Sequence, residues 1–186
     1  MNILGIIASS KFGDAGDFES IATVSVGSGG AANVEFTSIP STYSHLQLRI
    51  IGRSAKTSGF DFAELTFNGA GGSAYATHYL YGNGASVSAL AFTSSAYIYQ
   101  DFYATAGDTA NIFASFVIDI LDYANTNKNK TVRMLGGKDV NGSGGAAAFQ
   151  SGLWNSTSAV TSVKLTMNGG NFAQYSSIAL YGIRSA

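Results

Sequence analysis

Apolar and polar residues alternate along this chain with a period of two. In Ser44-His45-Leu46-Gln47-Leu48-Arg49-Ile50, Leu46, Leu48 and Ile50 share one face, and Gln47 and Arg49 share the other. Only a strand sends successive side chains to opposite faces, so the segment reads as a half-buried strand. Val163-Lys164-Leu165-Thr166-Met167 repeats the pattern with Lys164 and Thr166 outward. Glu64-Leu65-Thr66-Phe67-Asn68 runs as a strand into a turn at Gly69, and Ser177 to Ile183 makes a C-terminal strand. Ile21 to Val26 and Asn33 to Phe36 flank Gly27-Ser28-Gly29-Gly30 and are expected to pair as a hairpin.

The run Ile112 to Tyr123 is apolar on both faces for much of its length. Its Ile, Val and Phe content favours a central strand, and Asp119 interrupts any helical stripe. Thr131 to Leu135 follows as the return strand, after a polar loop rich in asparagine. The single proline, Pro40, precedes a strand, where its missing donor does little harm. Twenty-three glycines punctuate the chain, and the Gly-rich tract from Gly136 to Ala148 is expected to be a long loop. Short strands with such turns imply an all-β fold, an antiparallel β-sandwich of jelly-roll type. Leu46, Leu48, Ile50, Val117, Leu165 and Leu180 are expected in its core. Residues 18–186 read as one domain, and residues 1–17 as an N-terminal assembly arm and hinge.

That arm carries Ile3, Leu4, Ile6, Ile7 and Phe12, then breaks at Gly13-Asp14-Ala15-Gly16-Asp17. Its apolar stretch is far shorter than the roughly 18 residues of a membrane span. No Lys or Arg precedes it, as a signal peptide would require. The arm is expected to dock into an assembly, the alternative being a strand that completes the domain's own sheet.

Charge narrows the partners. Charged residues are 11% of the chain, against about 25% in ordinary soluble domains. The formal net charge is −1, and ten Lys and Arg are scattered along the sequence. Nucleic acid, which needs a basic stripe, is not an expected partner. A nearly neutral surface favours close packing against copies of itself. Cysteine is absent, which excludes disulfides and thiolate metal sites.

Catalytic and metal signals are weak. His45 and His78 lie in different segments, neither with a second ligand at metal spacing. Among Asp61, Glu64, Asp101, Asp119 and Asp122, no spacing selects a hydrolytic pair. Asp119 and Asp122 fit turn amides, or a pair with Arg133, better. Gly136-Gly137-Lys138 lacks the spacing and the hydroxyl of a phosphate loop. No catalytic residue, metal or cofactor is expected. Aromatics are the enriched chemistry. Tyr79, Tyr81, Tyr97, Tyr99 and Tyr103 are the candidate surface-binding residues, since tyrosine suits wet interfaces and stacking on sugar rings.

Three segments together carry a resemblance. They are Val24-Ser25-Val26-Gly27-Ser28-Gly29-Gly30 through Asn33-Val34-Glu35-Phe36-Thr37-Ser38-Ile39-Pro40, Ile120-Leu121-Asp122-Tyr123-Ala124-Asn125-Thr126-Asn127-Lys128, and the terminal Ser177 to Ile183. The chain from about Phe18 onward resembles small virion structural proteins of tailed bacteriophages. The resemblance implies a non-enzymatic virion structural protein, made in the host bacterial cytoplasm, and leaves its position on the particle open; a surface component of a tail-fibre or adhesion assembly is the expected role. Its expected partners are itself, as a homotrimer, other virion proteins and a host-surface glycan. A capsid decoration protein and a carbohydrate-binding module are the alternatives.

Overall fold

The computed structural model describes residues 17–141 and 144–184. Twelve strands organise them: β1 Phe18–Ser25, β2 Asn33–Phe36, β3 His45–Ser54, β4 Asp61–Phe67, β5 Tyr75–Gly82, β6 Val87–Ser95, β7 Ile98–Thr105, β8 Ala114–Leu121, β9 Lys130–Lys138, β10 Ala146–Trp154, β11 Val163–Met167 and β12 Ser177–Ile183. The described residues contain no helix, and the fold is all-β.

Eight strands run in the order β1-β12-β3-β8-β9-β10-β5-β6, antiparallel at each step. Four more run β2-β11-β4-β7, also antiparallel. The two limbs join where β3 and β7 run parallel for two pairs, Arg53 with Ala104 and Ser54 with Thr105. The result is one large twelve-stranded sheet.

One core takes side chains from both limbs. The long limb supplies Leu46, Leu48, Ile50, Ile118, Ile120, Val132 and Trp154, and the short limb supplies Val34, Leu65, Phe67 and Leu165. The rings of Phe67 and Trp154 are 5.6 Å apart, so the limbs touch there. Gly152 marks a second contact, where an added Cβ would lie 2.7 Å from Ile98 Cγ2. Burying each large aliphatic side chain contributes about 1.5–3 kcal/mol.

Lys130 is fully buried at the start of β9. Its ammonium donates to the carbonyl oxygens of Asn125 at 2.6 Å, Lys128 at 2.6 Å and Thr157 at 3.1 Å. It gathers the turn after β8 and the loop after β10 around one charge.

Three expectations are corrected. β1 and β2 do not form a hairpin: β1 pairs with β12, and β2 pairs with β11. The link between them is longer than the roughly two to five residues of a tight hairpin. It crosses from one limb to the other, bridging to Phe172 through Ala31. Val117 is 40% exposed, because its neighbours Phe116 and Ile118 take the inward positions of β8. The Gly136–Ala148 tract is not one long loop: its first three residues end β9, its last three open β10, and only 139–145 lie between them. Gly136 and Gly137 are small because the neighbouring backbone is close. An added Cβ would lie 2.3 Å from the Ser115 carbonyl oxygen at Gly136, and 1.9 Å from that of Ala146 at Gly137.

Candidate functional site

β5 sets the site by simple alternation. Tyr75, Thr77 and Tyr79 point inward, while His78 and Leu80 point out. Beyond Tyr75, the inward rings of β5 meet those of β6 and β7 and form a continuous aromatic strip. Phe60 lies 5.7 Å from Phe102, which lies 4.8 Å from Tyr81 and 6.3 Å from Tyr79. Tyr79 continues to Phe92 at 5.9 Å, and Phe92 stacks on Tyr99 at 4.1 Å. Tyr97 and Phe62 close the far end, 4.8 Å and 5.0 Å from Tyr99.

One end of the strip opens into a cavity of about 280 Å³ lined by Phe60, Tyr79, Tyr81, Leu90 and Phe102, together with polar Asn83, Asp101 and Lys138. The glycines and alanine at 144–146 complete its wall. Phe102 holds a left-handed backbone with φ 70°. A non-glycine residue there carries strain, of the kind that concentrates at functional positions. The adjacent Asp101 lines the cavity, and its Oδ1 accepts from Phe102 N–H at 2.8 Å and its Oδ2 from the Tyr79 hydroxyl at 3.3 Å. Burial pushes the Asp101 carboxyl above its usual pKa, and its two hydrogen bonds pull it only partly back. Asn83 is fixed by its own turn, its Oδ1 accepting from the N–H groups of Ala85 and Ser86.

Lys138 is held by Asp108 at 2.7 Å. Burial raises the Asp108 carboxyl, but the Lys138 ammonium and the Thr105 donors outweigh it, leaving its pKa below normal. A depressed acid contributes stability above its unfolded pKa and loses it as pH falls through the folded one. Lys138→Met is therefore expected to cost about 1–3 kcal/mol at pH 7. The gap to the native protein should narrow as pH falls below the ordinary aspartate range and through the lowered Asp108 value. Urea unfolding across an acid pH series checks this.

The sequence candidates divide. Tyr79 and Tyr81 line the cavity. Tyr97 and Tyr99 sit at the other end of the strip, joined through their hydroxyls at 3.3 Å. Tyr103 is not a surface residue: it is fully buried, with its ring 4.9 Å from Phe116 and 5.8 Å from Phe172. Its bed is Gly52, where any Cβ would lie 2.5 Å from the ring. Asp101, Asn83, Lys138 and Phe60 are site residues that sequence reasoning missed. Only Asp101, inside an aromatic run, carried a signal.

The other carboxylates have structural partners. Asp119 pairs with Arg133 at 2.9 Å, as its position across the β8–β9 hairpin suggests. Asp122 instead takes Lys128 at 2.6 Å. Its backbone N–H donates to His45 Nδ1 at 3.0 Å. Asp61 accepts from the Ser54 hydroxyl at 2.6 Å and from Gly169 N–H at 2.9 Å.

A second surface lies on the outer face of the long limb. Val117, Leu135, Phe149 and Leu80 occupy one row across β8, β9, β10 and β5. Leu135 is 62% exposed, and Phe149 and Leu80 are each 51% exposed. Arg49 precedes Val117 in the same row and covers the stacked rings of Phe18 and Tyr181. Ile51 adds to the face one position along β3. The proposed arm residues Ile3, Leu4, Ile6, Ile7 and Phe12 lie outside the described residues.

No family model, curated protein or solved structure matches this chain.

Proposed function

We propose that this protein is a bacteriophage virion structural protein, a surface component of a tail-fibre or adhesion assembly. On this reading it is not an enzyme, takes no cofactor, and acts by binding copies of itself as a homotrimer and other virion proteins. The two limbs are then the facing layers of a jelly-roll sandwich. The observation that carries the reading is the apolar row Val117–Leu135–Phe149–Leu80. A contiguous apolar face open to water is costly, and a second copy of the chain covers it. The low charge of the chain leaves little repulsion against that contact.

Leu135→Asp and Phe149→Asp test it, since each sets a charge in the row without touching the core. Both are expected to sediment as monomers where the native chain sediments as a trimer, with unchanged melting. A native chain that stays monomeric at high concentration overturns the assembly. Mass spectrometry of purified particles tests the virion setting, which fails if the chain is absent from them. Copy number separates the fibre from the alternative of capsid decoration.

A carbohydrate-binding module is a second reading, favoured by the aromatic cavity and its polar groups.

A further inference from the structure

We infer that the cavity between Phe60, Tyr81 and Asp101 binds a single neutral sugar ring, the terminal pyranose of a glycan. This deepens the carbohydrate-binding reading and stands apart from the virion setting.

Three features of the cavity select that class. First, its walls are aromatic: Phe60, Tyr79, Tyr81 and Phe102 line it, and the C–H face of a pyranose packs on aromatic rings. Second, its polar groups are of both kinds. Asp101 accepts, while the Lys138 ammonium and the Asn83 amide nitrogen donate. A ring bearing several hydroxyls satisfies donors and acceptors together, because each hydroxyl does both. A purely apolar ligand would leave unused the acceptor capacity that Asp101 keeps beyond its two hydrogen bonds. A cationic ligand would meet Asp101, but also the Lys138 ammonium on the same wall. Third, the volume of about 280 Å³ falls just below the roughly 300–1,000 Å³ of pockets for drug-sized ligands. It holds one ring, not an extended chain.

The groups are also built in rather than incidental. Asp101 is 5% exposed and Lys138 is 8% exposed. The left-handed backbone of Phe102 follows Asp101 directly, and its N–H holds the carboxylate. A buried carboxylate beside a strained backbone costs stability.

The test is titration of the full chain with the methyl glycosides of glucose, galactose and N-acetylglucosamine, and with choline as the cationic probe. Binding is read by saturation-transfer NMR. At least one glycoside is expected to saturate with a dissociation constant near 1–10 mM, about what one stacked ring supports. Phe60→Ala, which trims a half-exposed wall, and Asp101→Asn, which keeps the shape but not the charge, should each weaken it about tenfold or more. Phe60→Ala should leave the melting temperature unchanged. Asp101→Asn should hold or raise it, which a merely structural carboxylate would not do. The inference is overturned if no glycoside saturates by about 100 mM, if binding survives both substitutions, or if choline binds in their place. Particle composition, measured separately, bears on the virion setting and not on this site.

Discussion

Trp154→Ala is expected to cost about 3–5 kcal/mol, the range for deleting a large buried aromatic. A single domain has only about 5–15 kcal/mol in hand, so the variant should be largely unfolded well below the native melting temperature. The size follows from position. Trp154 ends β10 and is 4% exposed, with its ring stacked 6.3 Å from Tyr75 and set 5.6 Å from Phe67. Tyr75 belongs to the long limb and Phe67 to the short one. Its loss opens a void at the place where the limbs meet, and neither limb can close it without moving the other. Leu153→Ala is the control, one residue away and 37% exposed on the outer face. It should cost under about 1 kcal/mol. Urea unfolding of both variants gives the comparison, and equal losses would mean that the limbs do not share a core at Trp154.

Lys130→Met is expected to cost about 3–4 kcal/mol. Methionine keeps the apolar stem and removes the ammonium. Three carbonyl oxygens, from Asn125, Lys128 and Thr157, then lose their donor. Each buried acceptor left unpaired costs about 1–3 kcal/mol, reduced where loops open to admit water. Loss of protection should therefore concentrate at 122–130 and 155–160. Hydrogen exchange together with urea unfolding checks both parts. A fully stable variant with unchanged exchange would show that the ammonium organises nothing.

The sequence was most readable where one face meets water and the other meets the core. Leu46, Leu48 and Ile50 are buried as their alternation requires, and so are Leu165 and Leu180. The central place of β8 and its pairing with β9 were also legible, from β-branched content and the short polar turn. Reading failed where a strand is apolar on both faces. Val117 has the composition of a core residue, and only register sends it outward. Pairing was legible only for neighbours in sequence. Nothing local in Ile21–Val26 indicates that its partner lies near the other end of the described chain. Tyr103 and Tyr81 are the same residue type on neighbouring segments, yet one is core and the other lines a cavity. Gly52, across the fold, makes that difference by leaving space for the Tyr103 ring. The cavity itself joins β5, β6, β7 and the β9–β10 turn, which no spacing brings together.

The placement of β12 constrains the order of folding. It comes last among the described strands, yet it lies between β1, the first of them, and β3. Until Ser177–Ile183 has emerged, β1 has no neighbour and one side of β3 is a bare edge. Until β12 joins, the growing chain thus carries an open strand edge, a template for pairing with another chain. Completion of the fold is a closing step taken from the C-terminal side.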